Sequence, residues 1–190
     1  MENYTPVFRH NPILANKIPS AWGDIPTIIK DIMIRFNIKG KMAIEFGVEY
    51  GYSTSAFANY FDKVVGVDTF MGDVHAGIKG DHFETTKNNL ANFENITLVQ
   101  QSYQDFIESH DERYNLAHVD IVHTYQDTYL CGEWCINHSD IVVFHDTISF
   151  KQVCSAVEDL SEQYNMKFYN YTDSHGLGIL VPKTNLAVMP

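Results

Sequence analysis

A doubly wound α/β fold is predicted, with a mostly parallel seven-stranded sheet and an antiparallel hairpin at its C-terminal edge. Three observations predict it. From residue 40 onward, short apolar runs alternate with helix-period segments, the pattern of a parallel sheet covered on both faces. The last two runs break that alternation. Lys167 to Tyr171 and Leu177 to Val181 flank Thr172-Asp173-Ser174-His175-Gly176, which reads as a hairpin turn. Finally, 190 residues at 45% hydrophobic give room for one sizeable core, so one domain over 1–190 is expected.

Taken in order, residues 1–39 form an arm and a helix, and 40–182 the core. Three X-Pro steps in the first 20 residues (Thr5-Pro6, Asn11-Pro12, Ile18-Pro19) disfavour helix and predict an extended arm. Asp24 is placed to cap a helix with Ile25, Ile28, Ile29, Ile32, Met33 and Phe36 on one face. Strands are then expected at Met42–Phe46, Lys63–Val67, Ile96–Val99, Leu116–Val119 and Ile141–Phe144. Helices are expected at Ser53–Phe61, around His82–Phe93, near Tyr103–Ile107, around Tyr125–Trp134, and where Val153, Ala156, Val157, Leu160 and Tyr164 share a face.

The formal charge of -11 repels phosphate backbones, so general nucleic-acid or anionic-lipid affinity is not expected. No apolar stretch approaches the roughly 20 residues of a membrane span, and no signal-peptide pattern opens the chain. Three cysteines leave at least one unpaired, which fits a reducing compartment, and a cytoplasmic protein is expected. Cys131 and Cys135 lack two further convincing ligands and read as ordinary thiols, not a zinc site.

The chemistry-bearing pattern is Glu45-Phe-Gly47-Val-Glu49-Tyr-Gly51-Tyr-Ser53, with Asp68 closing the next apolar run. Glycines allow a backbone to approach a ligand closely. A carboxylate ending the second strand can accept hydrogen bonds from both ribose hydroxyls. Ser53 opens a helix, where a carboxylate can be held. A Gly-x-Gly-x-x-Gly dinucleotide signature is absent, which counts against an NAD-type oxidoreductase on the same layers.

The spacing of Glu45, the glycines and Asp68 resembles the S-adenosylmethionine (SAM) loop of class I methyltransferases, which have a Rossmann-like fold. The loop from Glu45 to Ser53 is similar to that of catechol-type small-molecule O-methyltransferases. Val65-Gly-Val-Asp68-Thr-Phe70-Met-Gly72-Asp73 and Asp120-Ile-Val-His123-Thr-Tyr125-Gln resemble methyltransferase family 24. In that family Asp-Gly-Asp-His-Ser-Tyr is common after strand four; here Ile121-Val122 replace Gly-Asp. The resemblance implies that Glu45, Gly47, Gly51, Ser53, Asp68, Thr69, Phe70, Ser102, Tyr103 and Asp120 bind SAM. It also implies methyl transfer to a small molecule or sugar, at oxygen. A non-catalytic protein with a vestigial pocket stays open as an alternative.

The sulfonium already activates the methyl group, so the protein must place the acceptor in line. A base or a metal helps when the acceptor is a hydroxyl. Asp120 and His123 follow strand four, and His145-Asp146 follow strand five. Two mechanisms remain open. Asp120 and Asp146 could hold a divalent cation, Mg²⁺ or Mn²⁺, with Thr147 standing where catechol-type enzymes carry Asn. Alternatively His123 or His145 acts as base, oriented by Asp146. The acceptor walls are expected from the arm and the Thr69–Gly80 loop, and the arm could also pair subunits into a homodimer. His138 and His175 lie in turn-like segments and receive no role.

Overall fold

The computed structural model describes residues 1–14, 18, 20–72, 77 and 80–183. Pro19 of the third X-Pro step, and residues 73–76 and 78–79 of the expected acceptor loop, lie outside the described residues.

The strands are β1 (Glu2–Asn3), β2 (Met42–Phe46), β3 (Lys63–Asp68), β4 (Ile96–Gln100), β5 (Tyr114–Val119), β6 (Ser139–His145), β7 (Met166–Tyr171) and β8 (Leu177–Pro182). They form one sheet in the order β1-β7-β8-β6-β5-β2-β3-β4, antiparallel only where β8 pairs with β6 and β7. The seven expected strands are therefore present, and an eighth joins them. Glu2 and Asn3 of the arm pair parallel with Tyr169 and Asn170. Two residues carry no readable alternation, so this strand is a product of docking.

Both sheet faces are covered. Successive residues enter opposite cores: Ala43, Val64, Leu116 and Ile141 on one side, Ile44, Val65, Ala117 and Val142 on the other, as the two-residue strand period requires. The first core takes in the N-terminal region, α1 (Ile29–Arg35) and α2 (Tyr52–Ala58). The second is filled from α4 (Tyr103–Ser109), α5 (Tyr125–His138) and α6 (Lys151–Gln163). A further helix, α3 (Phe83–Asn89), precedes β4. Cys131 and Cys135 are free and buried among these apolar side chains.

Asp24 does not cap a helix. The expected first helix is split into a 3-10 turn at Ile25–Thr27 and α1, and the Asp24 side chain makes no capping bond. Its carboxylate instead accepts from Tyr171 and Ser174 of the β7–β8 hairpin. The arm is tied down by Asp31, which is buried and accepts from the Tyr4 hydroxyl and the Val7 and Phe8 amides. A helix residue thus satisfies donors that an extended arm would otherwise leave unpaired.

Candidate active site

β2 pairs with β3 on one side and β5 on the other, so the chain winds outward in both directions from this pair. Ligand sites in doubly wound sheets lie beyond the carboxyl ends of the strands at such a reversal. There a cavity of about 570 Å³ opens. Its lining includes Gly47 after β2, Asp68 and Thr69 at the end of β3, Ser102 and Tyr103 after β4, Asp120 after β5, and His145 and Asp146 at the end of β6.

At the β3 end, the loop after β2 is held by a carboxylate. Asp68 Oδ2 accepts from the Val48 and Glu49 amides at 2.8 and 2.9 Å, and Oδ1 accepts from the Phe70 amide at 2.7 Å. Each carboxylate oxygen has further acceptor capacity, so this anchoring leaves room for ligand hydroxyls. Ser53 lines the same end from the first turn of α2. Ser102 caps α4 by accepting from the Asp105 amide, and the Tyr103 hydroxyl donates to Asp127. Burial and that acidic partner raise the Tyr103 hydroxyl well above its ordinary range.

Three residues expected to touch a cofactor are placed elsewhere. Glu45 is fully buried behind the cavity, where it accepts from Thr54 of α2 and lies 2.9 Å from Nδ1 of His118 on β5. It braces three elements and is not part of the wall, because its carboxylate would be costly to bury without such partners. Phe70 is also fully buried, with its ring against His82 and Phe83. Gly51 is outside the lining: a Cβ there would lie 2.7 Å from a Leu90 methyl, so this glycine serves packing of α3.

Gly47 does line the cavity, but its need for glycine is set by the chain. Its φ is +89°, and a Cβ would stand 1.7 Å from the Asp120 carbonyl oxygen. Gly47→Ala should therefore destabilise the fold by more than about 3 kcal/mol, combining left-handed strain with overpacking. Urea denaturation measures this, and a loss below about 1 kcal/mol would contradict the tight β2–β5 junction.

At the other end, β5 and β6 bring Asp120, His123, His145 and Asp146 together. His145 Nδ1 lies 3.2 Å from Asp120 and 3.5 Å from Asp146, and His123 Nε2 lies 2.7 Å from Asp146. His145 Nε2 contacts the Ser174 carbonyl at 3.1 Å. A carbonyl only accepts, so Nε2 must carry the proton, and the carboxylates favour a second proton on Nδ1. Burial opposes that charge, but Asp120 and then Asp146 push the His145 pKa up to about 9. Burial likewise opposes ionisation of Asp120, yet His145, His118 and His123 bring it down to about 2. The two carboxylates and the Ser174 carbonyl thus favour the protonated form of His145.

This pair predicts a pH dependence for the metal-free protein. The His145 contribution is complete below its ordinary 6.5 and is lost as pH rises through about 9. The Asp120 contribution is complete above 3.8 and lost as pH falls through about 2. The thermal-stability gap between wild type and Asp120→Asn should be widest between those ordinary values and narrow above pH 9. A gap that grows above pH 9 would contradict the charge assignment.

Asp120, His123 and Asp146 also present one ligand atom each within 4.8 Å of one another. Two carboxylates and an imidazole suit Mn²⁺ better than Mg²⁺. Thr147 contributes nothing to this group: it is buried and donates to Asn170.

Sequence reasoning missed several wall residues. Trp22 reaches the cavity from the N-terminal region, with its ring 6.0 Å from that of His145. His175 lines it from the hairpin turn, its Nδ1 2.8 Å from the Ser149 hydroxyl. His82 is also in the wall. No local motif marks Trp22 or His175, since both arrive by long-range packing. The run of left-handed residues at Ser174, His175 and Gly176 is the one conformational sign.

The site sits on a methyltransferase fold. The O-methyltransferase NovP superposes with a TM-score of 0.69 at 13% identity, covering 85% of this chain and 78% of that one. The O-methyltransferase of Bacillus cereus, solved with S-adenosylhomocysteine (SAH), gives 0.61 at 15% identity, covering 90% and 84%. A curated relative, the uncharacterized protein y4gI of Sinorhizobium fredii, is 25% identical over 156 residues. That match takes in 75% of this chain but only 17% of y4gI, so the chain spans about a sixth of its relative's length. The family model described as a methyltransferase domain, methyltransferase family 24, matches residues 44–147. The chain belongs to that family and carries its methyltransferase domain. This membership sets aside the dinucleotide oxidoreductase on the same layers.

Proposed function

We propose that the enzyme transfers the SAM methyl group to a hydroxyl of a small-molecule or sugar acceptor in the cytoplasm. The observation that carries this reading is one cavity shared by both ends. It runs from the Asp68-anchored loop to the Asp120, His123, His145 and Asp146 cluster, so a bound cofactor and an acid–base group share one enclosure. Asp68 receives the ribose, while Gly47, Ser53, Thr69, Ser102 and Tyr103 line the cofactor's path. The adenine meets the polar edge of Gln101 and Ser102 rather than Phe70. His123, next to Asp146, takes the acceptor proton. His145 and Asp120 form a fixed charge pair beside it, which orients the dyad without a change in protonation.

Calorimetry with SAH, followed by labelled SAM and a panel of catechols and sugars, tests this reading. Micromolar SAH binding and labelled product are expected, and failure of SAH to bind would sink it. A second reading is favoured by the convergence of Asp120, His123 and Asp146. A Mn²⁺ ion held there would lower the acceptor's pKa. Under the first reading EDTA leaves turnover unchanged. Loss with EDTA and recovery with Mn²⁺ would replace the base by the metal.

A further inference from the structure

The acceptor end of the cavity is tied to the N-terminal region at one residue. Asp24 Oδ1 accepts from the Ser174 hydroxyl at 2.7 Å, and Oδ2 accepts from the Tyr171 hydroxyl at 2.6 Å and from Arg9. The Asp24 amide donates back to the Ser174 hydroxyl at 3.2 Å. Asp24 and Ser174 therefore engage each other twice. The junction is also close: at Gly23, with φ of +50°, a Cβ would stand 2.4 Å from the Ser174 hydroxyl oxygen. Only glycine fits the segment against the hairpin turn there.

Both ends of this junction lead into the cavity. Trp22, two residues before Asp24, is 2% exposed and forms part of the wall. Ser174 has a left-handed φ of 52° and turns its carbonyl onto His145 Nε2. A non-glycine residue in that conformation needs outside support, and the Asp24 contacts supply it. The next residue, His175, is left-handed too and accepts through its carbonyl from the Ile148 and Ser149 amides in the turn before α6. Burial opposes the Asp24 charge, but bonds from Tyr171, Ser174 and Arg9 hold its carboxyl below the ordinary range. The Arg9 pair is largely exposed, so the hydroxyl bonds carry most of the hold.

We infer that Asp24 is a positioning residue for the acceptor end, fixing Trp22 in the cavity wall and His145 on the Ser174 carbonyl. That this end receives the acceptor rests on the proposed function; the mechanical link does not. Asp24 is not among the residues that line the cavity, so its effect travels through two other side chains.

The test uses the full chain carrying Trp134→Phe, which leaves Trp22 as its one indole. Trp134 lies outside the cavity, against Phe46 and Phe106. Asp24→Ala should raise acrylamide quenching of Trp22 about threefold, because loss of charge-assisted bonds increases local opening. Ser174→Ala removes one hydroxyl and should act in the same direction, so it carries the test if Asp24→Ala fails to fold. In imidazole-labelled protein, the His145 Nε2 proton should be visible in the parent and broadened in both variants. SAH affinity should stay within about twofold, since the Asp68 anchor is untouched. Unchanged Trp22 quenching or an unchanged His145 signal in both variants overturns the inference. Loss of SAH binding together with Trp22 exposure also overturns it, by showing a general structural role. A parent that never binds SAH defeats the cofactor assignment instead, and leaves the quenching comparison valid.

Discussion

Asp68→Ala is expected to weaken SAH binding by about a hundredfold or more, as measured by calorimetry. Hydrogen bonds to a charged group contribute about 1.5–3 kcal/mol each, and two such losses already amount to at least about 3 kcal/mol. Asp68 makes three of them to backbone amides. Two of the amides belong to Glu49 and Phe70, which are held at φ of 52° and 56°. Removing the carboxylate would release both strained positions and disorder the loop that lines the cavity. Asp68→Asn keeps the volume but turns an amide group toward donors, so it should fall between wild type and alanine. Affinity within threefold of wild type for Asp68→Ala would remove Asp68 from the cofactor site.

The second large effect is expected at His123. If it takes the acceptor proton, His123→Ala should lower the methyl-transfer rate by about 10²–10⁴, the usual range for a positioned base. SAH affinity should stay within about twofold, because the cofactor end is untouched. His145→Ala should behave differently. It removes a cation held between Asp120 and Asp146, leaving two carboxylates poorly compensated, so both stability and rate should fall. Single-turnover assays with saturating SAM separate these patterns. A His123→Ala enzyme with wild-type turnover would exclude the base, and manganese-dependent turnover in wild type would direct attention to the metal reading.

The cofactor end was the more legible half of this site. Gly47, Ser53, Asp68, Thr69, Ser102 and Tyr103 all line the cavity, because strand ends can be located by counting along apolar runs. Glu45, Gly51 and Phe70 show the limit of such counting. They lie close in sequence to lining residues, but their own side chains or missing Cβ serve Thr54 and His118, Leu90, and His82 with Phe83. Which of these positions meets a ligand is decided by the packing of α2 and α3, elements whose faces are only partly coded by periodicity.

The acceptor end was legible in its acids and imidazoles but not in their roles. Asp120, His123, His145 and Asp146 follow adjacent parallel strands, so their meeting could be expected from order alone. That His145 Nε2 meets the carbonyl of Ser174 could not, since that residue lies 29 positions away in the chain. Trp22 and His175 were passed over for the same reason.

By itself the sequence determined the alternation of strands and helices, the closing hairpin and the acidic residues at strand ends. These are local properties: apolar periodicity, turn chemistry and the position of polar residues after apolar runs. The tertiary structure alone decided which polar groups face the cavity and which partners they meet there. It also decided that Asp24 ties the N-terminal region to the β7–β8 hairpin. Those outcomes depend on partners far apart in the chain, whose burial and hydrogen bonds exist only once the sheet is assembled.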